Sequence, residues 1–175
     1  MVNNSLDVPL TGFPFLKHRA EIKVEPERST DIENAVNGLR YKYYEGNWDS
    51  LPDYNSLKPA DENIIPNFSI SSAKSADHFG YEFDGYIKIP EAGVYTLFIS
   101  SDDGSCLYIG NKLVIDNDGE HGIVEKSGTI ALEKGFHPIK VTFFERTGDQ
   151  SLSVKIKSLN LKKESVPDSL LFYTN

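Results

Sequence analysis

Short stretches of alternating apolar and polar residues recur along most of the chain, and this period of two is typical of half-buried β-strands. The clearest stretch is Phe79–Ile89, where Gly85 marks a bend or bulge. One face of this stretch holds large apolar side chains, namely Phe79, Tyr81, Phe83, Ile87 and Ile89. The opposite face holds Glu82, Asp84, Tyr86 and Lys88. The pattern therefore predicts one long strand with its apolar face toward a core.

Similar patterns predict further strands, separated by Gly, Asn, Asp and Pro residues that favour turns. These strands cover residues 39–44, 94–100, 106–109, 112–116, 129–132, 139–145 and 152–157. No segment shows helical periodicity over three turns, although a brief helical turn fits residues 167–171. The predicted fold class is all-β, an antiparallel β-sandwich whose inner faces meet over aromatic and branched residues.

The pattern also divides the chain along its length. Residues 1–37 hold one strand-like piece at 20–24, followed by a charged stretch nearly free of large apolar residues. We interpret them as an irregular N-terminal segment, either a linker or the tail of a preceding module. Residues 38–159 form the predicted sandwich, and residues 160–175 form a C-terminal tail that packs on it. Within the sandwich, residues 45–63 are predicted to be a long loop.

Charge and hydropathy exclude two kinds of partner. The 175 residues include 26 acidic and 18 basic ones, which gives a formal net charge of −8. This negative potential opposes a phosphate backbone, so we do not expect nucleic acid as a partner. No apolar run approaches the roughly 18 residues of a membrane span. The first ten residues also lack the basic and apolar parts of a signal peptide.

The common signatures of catalytic sites are absent from the sequence. It has no Gly-rich phosphate loop, no G-x-S-x-G elbow and no H-E-x-x-H motif. Its four histidines, His18, His78, His121 and His137, show no metal-ligand spacing among themselves. A single cysteine, Cys106, excludes an internal disulfide and is expected to be a small buried residue. We therefore predict that the chain is not an enzyme.

Two acidic clusters are the candidates for chemistry. Asp102 and Asp103 share one turn, and Asp116, Asn117 and Asp118 end a later strand that a hairpin returns to the same rim. Calcium prefers six to eight hard oxygen ligands, which two such loops could supply. However, both clusters contain Asp-Gly, a strong turn signal whose carboxylates can simply cap local backbone groups. The residues by themselves leave both readings open.

A set of motifs in fixed order extends from about residue 38 to residue 157. The motifs are Gly38-Leu39, Tyr43-Tyr44-Glu45-Gly46, Phe83-Asp84-Gly85-Tyr86-Ile87, Pro90, Gly93-Val94-Tyr95-Thr96, Ser101-Asp102-Asp103-Gly104-Ser105, Leu107-Tyr108-Ile109, Leu113-Val114-Ile115-Asp116 and Gly135-Phe136-His137-Pro138. Together they resemble the PA14 domain, and the closing Val166-Pro167 with Leu170 is similar to the end of many members. The ordered set is far more specific than any one motif.

The resemblance implies a β-sandwich module of the kind found beside glycoside hydrolases, in adhesins and in bacterial toxins. In the sugar-binding members, two consecutive aspartates joined by a cis peptide bond hold calcium, and the calcium contacts sugar hydroxyls. Asp102 and Asp103 match that pair. An asparagine from a later loop is a further ligand in those proteins, and Asn117 is the candidate here. The implied cofactor is Ca²⁺, held by these three residues.

Other residues are expected to contact the ligand at this rim. Asp116 and Asp118 flank Asn117 and are predicted to face the aspartate pair. Trp48 and His121 are candidates for sugar stacking or hydroxyl binding, although packing explains each equally well. The expected ligand-binding residues are Asp102, Asp103, Asp116, Asp118, His121 and Trp48.

The predicted function is a non-catalytic, calcium-dependent carbohydrate-binding module, accessory to a glycoside hydrolase or a surface glycan-utilisation protein. The expected partners are a terminal sugar or oligosaccharide and an adjacent catalytic domain. The resemblance also implies an extracellular, cell-surface or periplasmic location. The alternative is a structural or protein-interaction module that binds neither sugar nor metal and uses Asp102 and Asp103 only as a turn.

Overall fold

The computed structural model describes residues 25–174 as two β-sheets that pack face to face. The strands are β1 (Val36–Asn37), β2 (Leu39–Glu45), β3 (Asp61–Ile65), β4 (Phe79–Ile89), β5 (Gly93–Asp102), β6 (Ser105–Ile109), β7 (Lys112–Asn117), β8 (Val124–Leu132), β9 (Gly135–Glu145), β10 (Ser151–Lys157), β11 (Glu164–Ser165) and β12 (Leu171–Tyr173). Two one-turn 3-10 helices cover Tyr54–Ser56 and Asp168–Leu170. In this described part, no helix has the length and apolar character needed to cross a membrane.

The larger sheet is built around a pair of long strands. Its order is β1-β12-β4-β9-β6-β7, and β2 pairs with β4 on the same edge as β12 while β3 pairs with β2. Strands β4 and β9 pair along their whole length, from Phe79 opposite Glu145 to Ile89 opposite Gly135. The smaller sheet has the order β11-β10-β5-β8. All these pairings are antiparallel, so the predicted antiparallel β-sandwich is confirmed.

The core lies between the two sheets and takes every second residue of their long strands. The larger sheet contributes mainly Phe79, Tyr81, Phe83, Leu107, Val141 and Phe143, and the smaller contributes Tyr95, Leu97, Ile99, Ile130, Leu132, Val154 and Ile156. Fully burying one such aliphatic or aromatic side chain stabilises the fold by about 1.5–3 kcal/mol. Cys106 is buried as expected, but it projects from the outer face of β6 rather than into this core.

Every strand predicted between residues 39 and 157 is present, and β4 has the predicted bounds. Two stretches that lie outside the predicted strands belong to strands in the structure. Residues 124–127 belong to β8 and pair with β5, and residues 61–63 belong to β3 and pair with β2. Both are edge strands with largely exposed side chains, so they carry no apolar alternation that would reveal them in the sequence.

The N-terminal stretch is described only from residue 25, and the predicted strand-like piece at 20–24 lies outside the described residues. In the remainder, Glu27 bridges to Leu132 and Thr30 bridges to Phe136. Strand β1 pairs with β12, and β12 pairs with β4. Residues 25–37 therefore lie against the sandwich, while the division of the chain at residue 37 stays a prediction.

Candidate functional site

Three carboxylates meet at one end of the sandwich. Asp102 ends β5, Asp103 follows it in the turn to β6, and Glu145 ends β9. One oxygen of each carboxylate lies within 4.8 Å of the others. Asp103 and Glu145 are buried whereas Asp102 is half-buried, so this carboxylate cluster opens to solvent on the Asp102 side. The peptide bond between Asp102 and Asp103 is cis, as the resemblance implies.

Asp103 holds the loops of this rim together. Its Oδ1 accepts a hydrogen bond from the backbone N–H of His121, and its Oδ2 accepts one from the backbone N–H of Arg146, both at 2.9 Å. Each bond joins the β5–β6 turn to a different loop, one after β7 and one after β9. Because both donors are neutral and the acceptor is charged, these are stronger than ordinary amide hydrogen bonds.

Glu145 is the deepest member of the cluster. Its side chain is fully buried, and among the described residues neither of its carboxylate oxygens has a hydrogen-bond partner. Burial, followed by the negative charges of Asp103 and Asp102, raises the pKa of Glu145 to about 8. Burial and then the charge of Asp103 also raise the pKa of Asp102. A cation placed among these groups would remove both penalties.

Asn117 supplies a further oxygen at the same rim. It ends β7, opposite Ser105 of β6, and is fully buried. Its Nδ2 donates to Ser101 Oγ at 3.0 Å and to the carbonyl of Val124 at 3.2 Å, while its Oδ1 has no hydrogen-bond partner in residues 25–174. The amide is therefore held in one orientation with its carbonyl oxygen free to act as a ligand.

Close packing of the loops explains the glycine between the aspartate pair and β6. A Cβ at Gly104 would lie 2.8 Å from the carbonyl oxygen of Gly119, 2.9 Å from its nitrogen and 2.4 Å from the ring of Phe144. Phe144 also donates its backbone N–H to the Gly104 carbonyl at 3.0 Å. Only glycine lets the aspartate turn lie this close to the loop after β7.

The two predicted residues beside Asn117 point elsewhere. Along β7 the side chains alternate, so Asn117 turns inward and Asp116 turns outward, while the exposed Asp118 follows the end of the strand. Asp116 Oδ1 accepts from the backbone N–H of Asp118 at 3.1 Å, and Asp118 Oδ1 accepts from the N–H groups of Leu51 and Gly119, both at 2.7 Å. Both carboxylates line a cavity on the outer face of the larger sheet, not the carboxylate cluster.

His121 and Trp48 lie in the rim loops in different roles. The backbone of His121 binds Asp103, and its ring nitrogens lie 3.0 Å from the Asn117 carbonyl and 2.8 Å from the Gly122 carbonyl. The ring thus braces the loop after β7. Trp48 packs edge-on against Tyr54, with ring centroids 6.1 Å apart. Its contacts are those of loop packing.

Glu145 is the site residue that the sequence analysis did not select. Within residues 139–145 the inward positions are Ile139, Val141 and Phe143, and Glu145 continues the same parity. A carboxylate on the apolar side of a predicted strand was the available signal, since such a group is rarely buried without a partner. Its distance from Asp102 and Asp103 depends on the pairing of strands, which the sequence does not state.

The donor set fits a hard cation. Calcium prefers carboxylate, amide and backbone oxygens. The cluster offers three carboxylates, and the Asn117 Oδ1 lies in the adjoining strand end. The free oxygens of Glu145 and Asn117 are buried acceptors that nothing in residues 25–174 satisfies. Such groups are uncommon in folded proteins unless an ion or water completes them. The residues present therefore suit Ca²⁺.

Comparison with known proteins places this chain. The family profile of the PA14 domain matches residues 35–170. The chain belongs to the PA14 domain family. This PA14 domain is 38% identical over 132 residues to a beta-hexosaminidase of Porphyromonas gingivalis, covering 70% of this chain but 17% of that protein. It therefore spans less than a fifth of that relative's length.

Solved structures share the fold of this PA14 domain. The PA14 sugar-binding domain from an RTX adhesin has a TM-score of 0.68 at 15% identity, covering 79% of this chain and 99% of that one. The A domain of epithelial adhesin 9 from Candida glabrata, in complex with Galβ1-3GlcNAc, has a TM-score of 0.67 at 14% identity. That match covers 87% of this chain and 96% of the adhesin chain. At these identities the likeness establishes the fold.

Proposed function

We propose that this PA14 domain is a non-catalytic carbohydrate-binding module whose binding depends on Ca²⁺. The metal ligands are Asp102, Asp103 and Asn117, as the resemblance implies, joined by Glu145. The observation that carries the proposal is the carboxylate cluster, in which Glu145 is fully buried and its oxygens have no partner in residues 25–174.

The three carboxylates of the cluster differ in burial, which supports different roles in binding the ion. Asp103 and Glu145 are buried and would hold the ion from below, whereas Asp102 is half-buried on the solvent side. Calcium, when bound, offers coordination positions that neighbouring sugar hydroxyls can fill. The chain's own residues keep the Asn117 amide and the Asp103 carboxylate oriented through hydrogen bonds to adjacent strands and loops.

The relatives support the ligand class. Two structural neighbours with the same fold are a sugar-binding domain and an adhesin domain solved with a galactoside. The hexosaminidase relative, a carbohydrate-active enzyme by its name, matches this chain over a small part of its length. We therefore also propose that the domain acts as an accessory to a glycoside hydrolase or a surface glycan-utilisation protein. An extracellular, cell-surface or periplasmic location goes with that role.

Calorimetric titration with CaCl₂, followed by a glycan array with calcium and again with EDTA, tests the proposal. We expect calcium heat in the unmutated chain and glycan retention that EDTA abolishes. Asp102→Asn should remove both while leaving the fold intact, because Asp102 is the half-buried member. Asp49→Asn is the matched control, since Asp49 is exposed and pairs with Arg146 on the same rim. Glycan binding that ignores EDTA, or no calcium heat, would overturn calcium dependence.

One observation favours the alternative structural function. Both carboxylate oxygens of Asp103 accept backbone hydrogen bonds that hold the rim loops together without any metal. In this alternative, Asp102 and Asp103 form only a turn, and the Asp103 carboxylate caps the backbone N–H groups of His121 and Arg146. The alternative predicts that calcium leaves the melting temperature unchanged, whereas a metal that binds only the folded state must raise it.

A further inference from the structure

The cavity that Asp116 and Asp118 line lies on the outer face of the larger sheet. It is open to solvent, has a volume of about 460 Å³ and is lined by strands β4, β9, β6 and β7 and the segment 51–55. The floor residues Glu82, Tyr108 and Thr142 alternate along their strands with the core residues Phe83, Leu107 and Val141. The cavity is therefore on the opposite side of the sheet from the core, and its size suits a small ligand.

Strand register brings the polar floor together in two rows. In the first row Glu82 lies opposite Thr142, Thr142 opposite Cys106, and Cys106 opposite Asp116. In the second row Lys140 lies opposite Tyr108, and Tyr108 opposite Leu113. Because paired residues of neighbouring strands have Cβ atoms roughly 4.5–5.5 Å apart, each row is a continuous line of side chains.

The wall of the cavity is fixed in place by two hydrogen bonds. Tyr54 is buried and donates its hydroxyl to the Phe143 carbonyl at 2.6 Å. The backbone N–H of Leu51 donates to Asp118 Oδ1 at 2.7 Å. Together these contacts attach the segment 51–55 to β9 and to the end of β7. The cavity is thus formed by the fold itself and does not depend on a ligand to order its wall.

Most charged side chains that line the cavity already have partners within the protein. Glu82 pairs with Lys42 at 3.2 Å and with Lys140 at 3.5 Å. Asp53 caps the 3-10 helix by accepting a hydrogen bond from the backbone N–H of Asn55. Asp118 accepts hydrogen bonds from the backbone N–H groups of Leu51 and Gly119.

The hydrogen-bonding groups of the cavity that remain available suit a neutral ligand with several hydroxyl groups. Asp116 uses one oxygen, Oδ1, for its contacts with Asp118 and Cys106. The second Asp116 oxygen is therefore an acceptor, the Lys140 ammonium keeps donors beyond its one pair, and Tyr108 adds a half-buried aromatic face. Sugar rings bind through this combination of hydroxyl partners and an apolar ring face. The four carboxylates that line the cavity against one lysine disfavour anionic ligands.

We propose that this cavity is a second glycan subsite, which binds a neutral sugar unit of the same oligosaccharide whose terminal unit occupies the calcium site. The proposal rests on the proposed function. Strand β6 links the two sites, because Ser105 lies at the rim and Tyr108 on the cavity floor, about 10 Å further along the strand. Strand β7 links them as well, since Asn117 faces the rim while Asp116 lines the cavity. A monosaccharide is too short to reach both.

A glycan array of neutral, sialylated and sulfated mono- to hexasaccharides, read with calcium, tests this subsite. We expect the unmutated domain to retain neutral oligosaccharides about tenfold more tightly than their terminal monosaccharide, and to discriminate against anionic forms extended into the cavity. Tyr108→Ala should reduce oligosaccharide affinity to the monosaccharide level, while Tyr108→Phe, which keeps the ring, should retain most of it. Calcium titration of Tyr108→Ala should match the unmutated domain.

Tyr173→Ala is the control for loss of a half-buried tyrosine, because Tyr173 lines a different cavity beside Arg40. It should leave the array profile unchanged. Equal binding of mono- and oligosaccharides, or unchanged oligosaccharide binding in a folded Tyr108→Ala, would overturn the subsite and leave the calcium-dependent function standing. Calcium binding without retention of any glycan would overturn both proposals.

Discussion

The carboxylates of Asp103 and Glu145 lie within 4.8 Å of each other in the buried rim of the sandwich, although 42 positions separate them in the chain. Asp103 accepts two backbone hydrogen bonds, one from Arg146, the residue next to Glu145, whereas Glu145 has no partner in residues 25–174. The two acids are therefore neighbours with different roles. Asp103 organises the loops, and Glu145 is left as an unsatisfied ligand.

Glu145→Gln should make the stability of the domain much less dependent on calcium. The substitution keeps the shape of the side chain but removes a buried carboxyl whose pKa of about 8 keeps it protonated near pH 7 when no cation is bound. In EDTA we expect the variant to be at least as stable as the unmutated domain, because a neutral amide does not carry the free-energy cost of keeping that carboxyl protonated in the folded state. With calcium, the melting temperature of the unmutated domain should rise and that of the variant should rise much less.

Glu120→Gln is the control for Glu145→Gln, because Glu120 is an exposed rim carboxylate paired with Arg146. Its calcium-induced shift in melting temperature should equal that of the unmutated domain. A Glu145→Gln variant that keeps the full calcium shift would show that Glu145 is not a ligand.

Asp103→Ala should destabilise the domain whether or not calcium is present. It leaves two part-buried backbone N–H groups, of His121 and Arg146, without their acceptor. Leaving a fully buried donor unsatisfied costs about 1–3 kcal/mol and a part-buried one less, so we expect a loss of about 1–4 kcal/mol in urea unfolding in EDTA. Asp102→Ala, at the half-buried neighbour, should cost far less. Equal losses for the two aspartates would contradict the loop-organising role of Asp103.

Gly104→Ala should loosen the rim through steric conflict. The added methyl would meet the Gly119 backbone and the Phe144 ring at 2.4–2.9 Å, and overpacking of this kind costs about 1–3 kcal/mol. Calcium affinity should fall with stability, because the aspartate turn must move. Gly122→Ala is the control, since a Cβ there meets nothing within 4 Å. Thermal unfolding and calcium titration of both variants measure the difference.

Asp84 should lower the stability of the domain as the pH rises from about 4 to about 6, in the same direction as the raised pKa of Glu145. Burial, followed by the charge of Glu82, raises the pKa of Asp84 from 3.8 to about 6. The folded state therefore holds a proton in this range that the unfolded state releases, and the stability present below the unfolded pKa is lost as the pH rises through the folded pKa.

Asp84→Asn should flatten this part of the pH profile. We expect the variant to gain about 1–2 kcal/mol over the unmutated domain at pH 7 and nothing near pH 4. Urea unfolding at a series of pH values, with exposed Glu164→Gln as the control for loss of one charge, measures the effect. An unchanged slope in Asp84→Asn would assign the pH dependence to other groups.

The sequence by itself determined the β-sandwich fold and pointed to the aspartate pair, Asp102 and Asp103, at its rim. Alternation of period two identified β4 and the other long strands because their inner faces are apolar and their outer faces polar. The aspartate pair was visible because it lies in a turn between two such strands. The edge strand β3 and the first part of β8 were the exceptions, since residues 61–63 and 124–127 are largely exposed and bury no regular apolar face.

Only the tertiary structure decided which acids meet. Asp116 and Asp118 belong to the predicted cluster, yet both line the outer cavity. The alternation along β7 turns Asp116 outward and leaves Asn117 at the rim, and Asp118 lies just beyond the end of the strand. Glu145 is remote in sequence, yet the pairing of β6 with β9 brings the end of β9 beside the aspartate turn. Side-chain parity can be read from a strand, but strand neighbours are set by the packing of the whole sheet. The proximity of Asp103 and Glu145 therefore belongs to the fold.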